Sequence, residues 1–318
     1  MTVAEPSYQV LPPTLEGRIP FDKGETWFRV TGDLSSGVTP LVVAHGGPGA
    51  THQYLLSLTA FADPDGLARP VVHYDQLGCG NSTHLPDADP SYWTVELFLA
   101  ELDNLVTLLG IADDYHLLGQ SWGGMLAAEH AVLRPAGLRR LVIANSPASM
   151  PLWLEAAASL RAELPPVIDE TLRSHEEAGT TDSAEYETAM KTFYDRHVCR
   201  VVPNPPEVRA AFASLEEDPT VYHTMNGPSE FYVVGSLRDW SIVDRLPLIE
   251  VPTLVISGAY DEAAPVAVTP YAELIPDARW EIFVASSHMP HVEEPSRYLT
   301  VVESFLRGSS GLGAAGLA

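Results

Sequence analysis

The tightest constraint on this chain is the run His116-Leu-Leu-Gly-Gln-Ser-Trp-Gly-Gly-Met125. It holds Gly119-x-Ser121-x-Gly123 between a short apolar run and a helix-like run from Met125 to Leu133. A serine flanked this way belongs to a strand-to-helix turn too sharp for side chains at the neighbouring positions. Glycine at 119 and 123 removes those side chains, and Gly124 adds room. The turn lifts the hydroxyl out of the sheet, and the helix N-terminus beneath it favours negative charge developing nearby. Alone, the pattern also fits an ordinary glycine-rich turn, so its meaning depends on what else the chain supplies.

Other strand-like runs surround it. Residues 17–31 read as a hairpin about Asp22-Lys23-Gly24. Leu41 to Ala44 ends in His45-Gly46-Gly47-Pro48-Gly49, and Pro70 to Tyr74 ends in Asp75-Gln76-Leu77-Gly78-Cys79-Gly80-Asn81-Ser82. Leu141 to Ala144, Pro252 to Gly258 and Trp280 to Ala285 follow. Short apolar runs of this kind suit strands buried on both faces. Val95, Phe98, Leu99, Leu102, Leu105, Val106 and Leu109 keep helical spacing, and Gly110 ends that helix. The alternation predicts an α/β fold with a mostly parallel central sheet flanked by helices.

From Pro151 the pattern changes. Residues 153–217 hold several helix-like stretches and no strand, broken by Pro165-Pro166 and by the prolines between 203 and 206. The expected organisation is a core in two parts, 1–150 and 246–307, with an inserted helical cap over 151–245. A helix from about Ser296 to Leu306 closes the core. The tail, 308–318, is small-residue low complexity and is expected to be disordered.

Composition narrows the function classes. With 18 basic and 42 acidic residues among 318, the net charge is −24, which argues against nucleic acid and anionic membranes as partners. The 46% apolar content supplies a core. No apolar run is long enough to span a bilayer, and no signal peptide is read at Met1-Thr-Val-Ala-Glu-Pro, so a cytoplasmic enzyme is expected. Cys79 and Cys199 lack metal-ligand spacing and imply no disulfide framework; Cys79 reads as a small packing residue. No zinc, P-loop or dinucleotide pattern is present, and neither metal nor organic cofactor is expected.

A serine hydroxyl needs a general base, and the base needs an orienting partner. In folds with this turn the chain order is serine, then aspartate or glutamate, then histidine, each in a loop after a strand. Asp261 follows the run ending at Gly258, and His288 follows the run ending at Ala285. Ser121, Asp261 and His288 are therefore the expected catalytic triad, with His291 a rival base three residues on. Two backbone N–H groups should receive the oxyanion. One is expected from Trp122, the other from Gly47, with Gly46 as the fallback. His45 is expected to shape that loop by hydrogen bonding.

Together, His45-Gly-Gly-Pro-Gly49, Asp75-Gln-x-Gly-x-Gly-x-Ser82 and Gly119-Gln-Ser-Trp-Gly-Gly124 resemble proline iminopeptidases, over about Gly17 to Leu306. These are exopeptidases of the α/β-hydrolase fold that release an N-terminal residue. Asn226-Gly-Pro-Ser-Glu230-Phe231 and Tyr260-Asp261-Glu262 resemble the tricorn-interacting aminopeptidase branch. The resemblance implies that Glu230 and Glu262 bind the free α-amino group. The chemistry is apt, because paired carboxylates hold an ammonium by charge-assisted hydrogen bonds. Trp122 stands where relatives often have tyrosine, and only its backbone N–H is expected to matter. Trp153, Phe231 and Trp240 are candidates for an apolar slot that takes a proline ring.

The expected function is a serine exopeptidase acting on a short peptide or an amino-acid amide. Three alternatives use the same scaffold. An amino-acid amidase would keep both glutamates, an ester or lactone hydrolase would need neither, and a catalytically inert binding protein would not need an intact triad. Epoxide hydrolases and dehalogenases place a carboxylate where Ser121 stands. Oligomeric state is not read from the sequence.

Overall fold

The computed structural model describes residues 8–66 and 68–308, so the tail expectation lies, but for Gly308, outside the described residues. Eight strands make one sheet: β1 (Leu15–Phe21), β2 (Gly24–Thr31), β3 (Leu41–Ala44), β4 (Val71–Asp75), β5 (Tyr115–Gln120), β6 (Leu138–Ala144), β7 (Thr253–Gly258) and β8 (Ala278–Phe283). Their order is β1-β2-β4-β3-β5-β6-β7-β8. The hairpin β1–β2 and the pair β2–β4 are antiparallel, and every later pairing is parallel.

Strands β3, β4, β5 and β7 are buried at every position, as their near-continuous apolar runs require in a sheet covered on both sides. Alternate residues feed two cores. Val42, Leu117, Ile143 and Val255 join one cluster with α1 (Val95–Leu108) and α2 (Trp122–Val132). Leu41, Leu118, Val142 and Ile256 point the other way, toward the 3-10 segment His52–Ala62 and the C-terminal helix. Helix α1 starts where Thr94 Oγ1 accepts the Leu97 N–H at 3.2 Å and ends before Gly110, at φ +72°.

Between β6 and β7 lie five helices: α3 (Met150–Ala162), α4 (Pro166–Ala178), α5 (Ala184–His197), α6 (Pro206–Glu217) and α7 (Thr220–Met225). Helices α3, α4 and α5 build a third cluster with Phe231, centred on Leu172, Tyr186 and Phe193, while α6 and α7 pack into the other two. Helices α8 (Pro265–Leu274), α9 (Pro290–Glu293) and α10 (Pro295–Leu306) complete the chain. No helix among the described residues is long and apolar enough to cross a membrane.

The glycine before the serine is fixed by sterics. A Cβ on Gly119 would stand 1.9 Å from the Gly123 carbonyl oxygen, where strand and helix meet. Gly119→Ala is therefore expected to lower stability by about 3 kcal/mol or more. Urea unfolding checks this, and a midpoint at the wild-type value would contradict the packing described.

Candidate active site

Ser121 joins β5 to α2 at φ 57°, ψ −124°, a conformation that costs a non-glycine residue about 1–3 kcal/mol. The sheet holds it there: Ser121 N–H donates to Ala144 O at 2.9 Å, and Gly124 N–H donates to Ser121 O at 2.8 Å. The residue lines a cavity together with Gly47, Tyr54, Glu230, Glu262 and His288. Beyond these polar groups the wall is apolar, with Val208, Ala211, Phe212 and Leu215 of α6 forming much of it.

His288 and Asp261 meet at the ends of neighbouring strands. The imidazole Nδ1 lies 2.7 Å from Asp261 Oδ1, which also accepts the Ala263 N–H at 2.9 Å. Asp261 Oδ2 accepts from Asn145 Nδ2 at 2.6 Å and from the Gly258 N–H at 3.3 Å. An ionised carboxylate can only accept, so the proton between the pair sits on Nδ1 and leaves Nε2 free toward the cavity. No hydrogen bond joins Ser121 Oγ to His288 Nε2 among the described residues; such bonds often tighten only when substrate is bound. Asn145, at φ 51° after β6, was not legible as a site residue.

The loop after β3 is locked by side chains. His45 is fully buried, its Nε2 accepting the Gln76 N–H at 3.0 Å. Burial pushes its imidazole down to about 4, so it is neutral and suited to that shaping role. The Gly46 N–H donates to Tyr54 Oη at 2.7 Å. Gly47 follows at φ +111°, where a Cβ would meet Ala50 N at 2.5 Å. With the Gly46 N–H engaged, Gly47 is the better placed of the two candidate donors. Across the serine, Trp122 occupies the first position of α2, where a backbone N–H has no intrahelical acceptor. Contrary to expectation, the Trp122 side chain also matters. Its Nε1–H donates to Gln76 Oε1 at 2.8 Å, while Gln76 Nε2 donates to His45 O at 3.0 Å. Gln76 thus ties the β3 loop to the first residue of α2.

The two glutamates differ. Tyr222 Oη donates to Glu230 Oε1 at 2.7 Å, and Trp153 Nε1 donates to Glu230 O at 2.6 Å. Glu262 is 1% exposed, and neither carboxylate oxygen has a hydrogen-bond partner among the described residues. Its Oε1 lies 3.6 Å from His288 Nε2. Burial, then the nearby Glu230 and Asp261 charges, hold the Glu262 carboxyl well above the usual range. Burial raises Glu230 as well, opposed by the Tyr222 hydrogen bond.

This arrangement has a stability consequence. A carboxyl raised on folding favours the fold fully below its unfolded value of about 4.3, and that contribution is lost as pH rises through the folded value. Glutamine in the same space carries no such pH-dependent loss. Glu262→Gln is therefore expected to raise Tm at pH 8 by a few degrees, equivalent to about 1–2 kcal/mol, with the gain vanishing toward pH 4. Calorimetry across that range checks it, and a lower Tm at pH 8 would contradict it.

The aromatic candidates separate. Trp153 lines a second, smaller cavity with Trp122, Met125, Met150 and Leu237, and this cavity also reaches Ser121, Gly47 and Glu230. Its ring lies 6.0 Å from that of His288. Phe231 instead packs within the α3–α5 cluster, against Phe193 at 4.8 Å between ring centroids. Trp240 is drawn away by Glu129, whose Oε1 accepts its Nε1–H at 2.9 Å. His291 is buried behind the site, its Nε2 3.1 Å from Tyr54 O, and burial pushes its imidazole down to about 3. Cys79 is a buried free thiol.

Comparison with known proteins places this geometry in context. Residues 39–295 match the family described as alpha/beta hydrolase fold. The chain is 36% identical over 290 residues to a proline iminopeptidase of Heyndrickxia coagulans, covering 91% of this chain and 95% of the relative. Among solved structures, VinJ is 57% identical with a TM-score of 0.91, covering 93% of this chain and 99% of its own. A proline iminopeptidase from Mycobacterium smegmatis is 51% identical with a TM-score of 0.85, covering 92% and 98%.

Proposed function

The chain belongs to the proline iminopeptidase family within the α/β-hydrolase fold, and on that footing we propose that it is a serine exopeptidase that releases an N-terminal residue, proline above all, from short peptides. One observation carries the reading: a buried carboxylate with no partner, Glu262, faces the same cavity as Ser121 and His288. An isolated buried carboxylate is costly, and a substrate ammonium is the partner that relieves it.

Glu230 and Glu262 hold the amino group and place the first carbonyl over Ser121. His288 Nε2 takes the hydroxyl proton as Oγ attacks, and Asp261 orients the imidazole and stabilises its charged form. The oxyanion is received by the Gly47 and Trp122 N–H groups. As the C–N bond breaks, His288 returns the proton to the leaving amine. Water then attacks the acyl-enzyme, with His288 again the base, freeing the amino acid and Ser121. His288 lines only the larger cavity, so the leaving chain runs there and the proline ring takes the smaller one beside Trp153. Residues 151–245 act as the cap that closes over both. The protein works in the cytoplasm on small peptides.

The apolar wall of Val208, Ala211, Phe212 and Leu215 in the cavity that holds His288 suits a leaving chain better than ammonia, which favours a peptidase over an amidase. An ester or lactone hydrolase would have no use for the Glu262 carboxylate. Incubation with a tetrapeptide beginning with proline, followed by mass spectrometry, tests this. Release of free proline and the intact tripeptide is expected. Cleavage of prolinamide with the tetrapeptide untouched would establish the amidase instead.

A further inference from the structure

Outside the residues already given roles, a buried chain of polar groups passes behind Ser121. Tyr54, in the 3-10 segment, is 4% exposed and Gln120, immediately before the serine, is 1% exposed. The Gly46 N–H donates to Tyr54 Oη at 2.7 Å, Tyr54 Oη donates to Gln120 Oε1 at 2.5 Å, and Gln120 Nε2 donates to His288 O at 3.1 Å. The directions are forced. A backbone N–H can only donate, so the phenol oxygen accepts it, and the single phenolic hydrogen must go to the amide oxygen. The amide nitrogen is then the end left to meet the His288 carbonyl.

We propose that Tyr54 and Gln120 are positioning residues: a two-residue clamp that fixes the oxyanion loop and the base loop to each other across the nucleophile. This rests on Gly47 and Trp122 as oxyanion donors. At one end, the clamp takes the Gly46 N–H out of the cavity and sets the peptide that leads to the Gly47 N–H. At the other, it holds the backbone of His288. Gln120 is the link because β5 delivers it between the two loops, one residue from Ser121. A second contact braces the same pair of segments, His291 Nε2 lying 3.1 Å from Tyr54 O. Burial raises the Tyr54 phenol, so it keeps its hydrogen throughout the working pH range and the donor pattern does not invert. Both side chains also border the cavity, but their hydrogen bonds reach neither Glu230 nor Glu262. Loss of the clamp therefore weakens the transition state and spares ground-state binding.

Tyr54→Phe and Gln120→Met, singly and together, test this on the full chain. Each single change is expected to lower kcat on a prolyl amide about 100-fold, the scale of one lost oxyanion donor, with KM within twofold of wild type. Affinity for the boronic acid analogue of proline, whose tetrahedral hydroxyl fills the oxyanion site, should fall in parallel, while affinity for proline itself stays level. The double variant should be no worse than the weaker single one, because the two residues act as one unit. A general loosening of the fold would instead weaken proline and the boronate alike. Losses that multiply, an unchanged boronate affinity, or equal losses for both ligands would overturn the clamp. Should Tyr54→Phe fail to fold, Gln120→Met alone decides by the same boronate-to-proline ratio. Wild-type turnover and boronate binding are measured alongside; their absence would count against the exopeptidase reading rather than against the clamp.

Discussion

Ser121→Ala folds and binds substrate but loses turnover by roughly five to six orders of magnitude. The size of the effect follows from what the hydroxyl does and does not do in the free protein. The hydroxyl makes no capping hydrogen bond to α2, so its removal leaves no N–H of the helix start newly unsatisfied. The φ of 57° is set by the strand–helix junction, which alanine occupies at the same cost as serine. Stability should therefore stay within about 0.5 kcal/mol of wild type. What disappears is the attacking oxygen, for which His288 and the oxyanion donors have no substitute at comparable geometry. Single-turnover kinetics on a prolyl amide and labelling by a fluorophosphonate check both halves. Retained turnover, or labelling of the variant at the wild-type rate, would place the nucleophile elsewhere.

Glu262→Gln lowers kcat/KM on free-amine substrates by about 10²- to 10³-fold and leaves hydrolysis of a neutral p-nitrophenyl ester nearly unchanged. The estimate is that of one truncated partner in a buried charge pair, about 2–5 kcal/mol. Glutamine keeps the shape, so the loss reports charge and not packing. Glu230→Gln is expected to lose less, because Glu230 Oε1 already accepts from Tyr222 and only part of the carboxylate is available to a substrate. The same two carboxyls give binding a pH dependence. Both are raised in the empty site, and an ammonium favours their ionised forms, so KM should fall as pH rises through their range until the substrate amine itself loses its proton. In Glu262→Gln this dependence should flatten. A Tm gain in the same variant would mark Glu262 as a carboxylate kept at the expense of stability.

The parts of the molecule governed by local rules were readable in advance. The serine turn needs glycine at fixed offsets, and strands buried on both faces need unbroken apolar runs, so Ser121 and the strand ends that present Asp261 and His288 could be found by spacing. Helix α8 was not foreseen; its ten residues include Pro265 and Pro270, and the first sits at the helix start, where its missing N–H is harmless. Strand β8 ends at Phe283, two residues before the expected limit, because Val284 is 70% exposed and turns away from the sheet. Gln76 and Gln120 stand in the motifs that carry the resemblance, but their roles as connectors, like those of Asn145 and Tyr54, were not legible. Their partners lie up to 168 residues away, and nothing in their local sequence marks an amide or phenol as a connector. Trp122 shows the same limit from the other side: its backbone position was predictable, while the use of its indole depended on Gln76 arriving from another strand.

On the proposed function, the protein demands a free amino group beside the scissile carbonyl. The most direct test is the ratio of kcat/KM for prolyl-β-naphthylamide to that for its N-acetylated form, measured with the wild-type chain at pH 8. N-acetylation removes the ammonium and leaves the carbonyl, the ring and the leaving group in place. A ratio of about 10³ or more is expected, since a buried carboxylate deprived of its partner costs several kcal/mol. A ratio near one, with both compounds cleaved, would mean that Glu230 and Glu262 do not bind the substrate amine and that the chain is not an aminopeptidase.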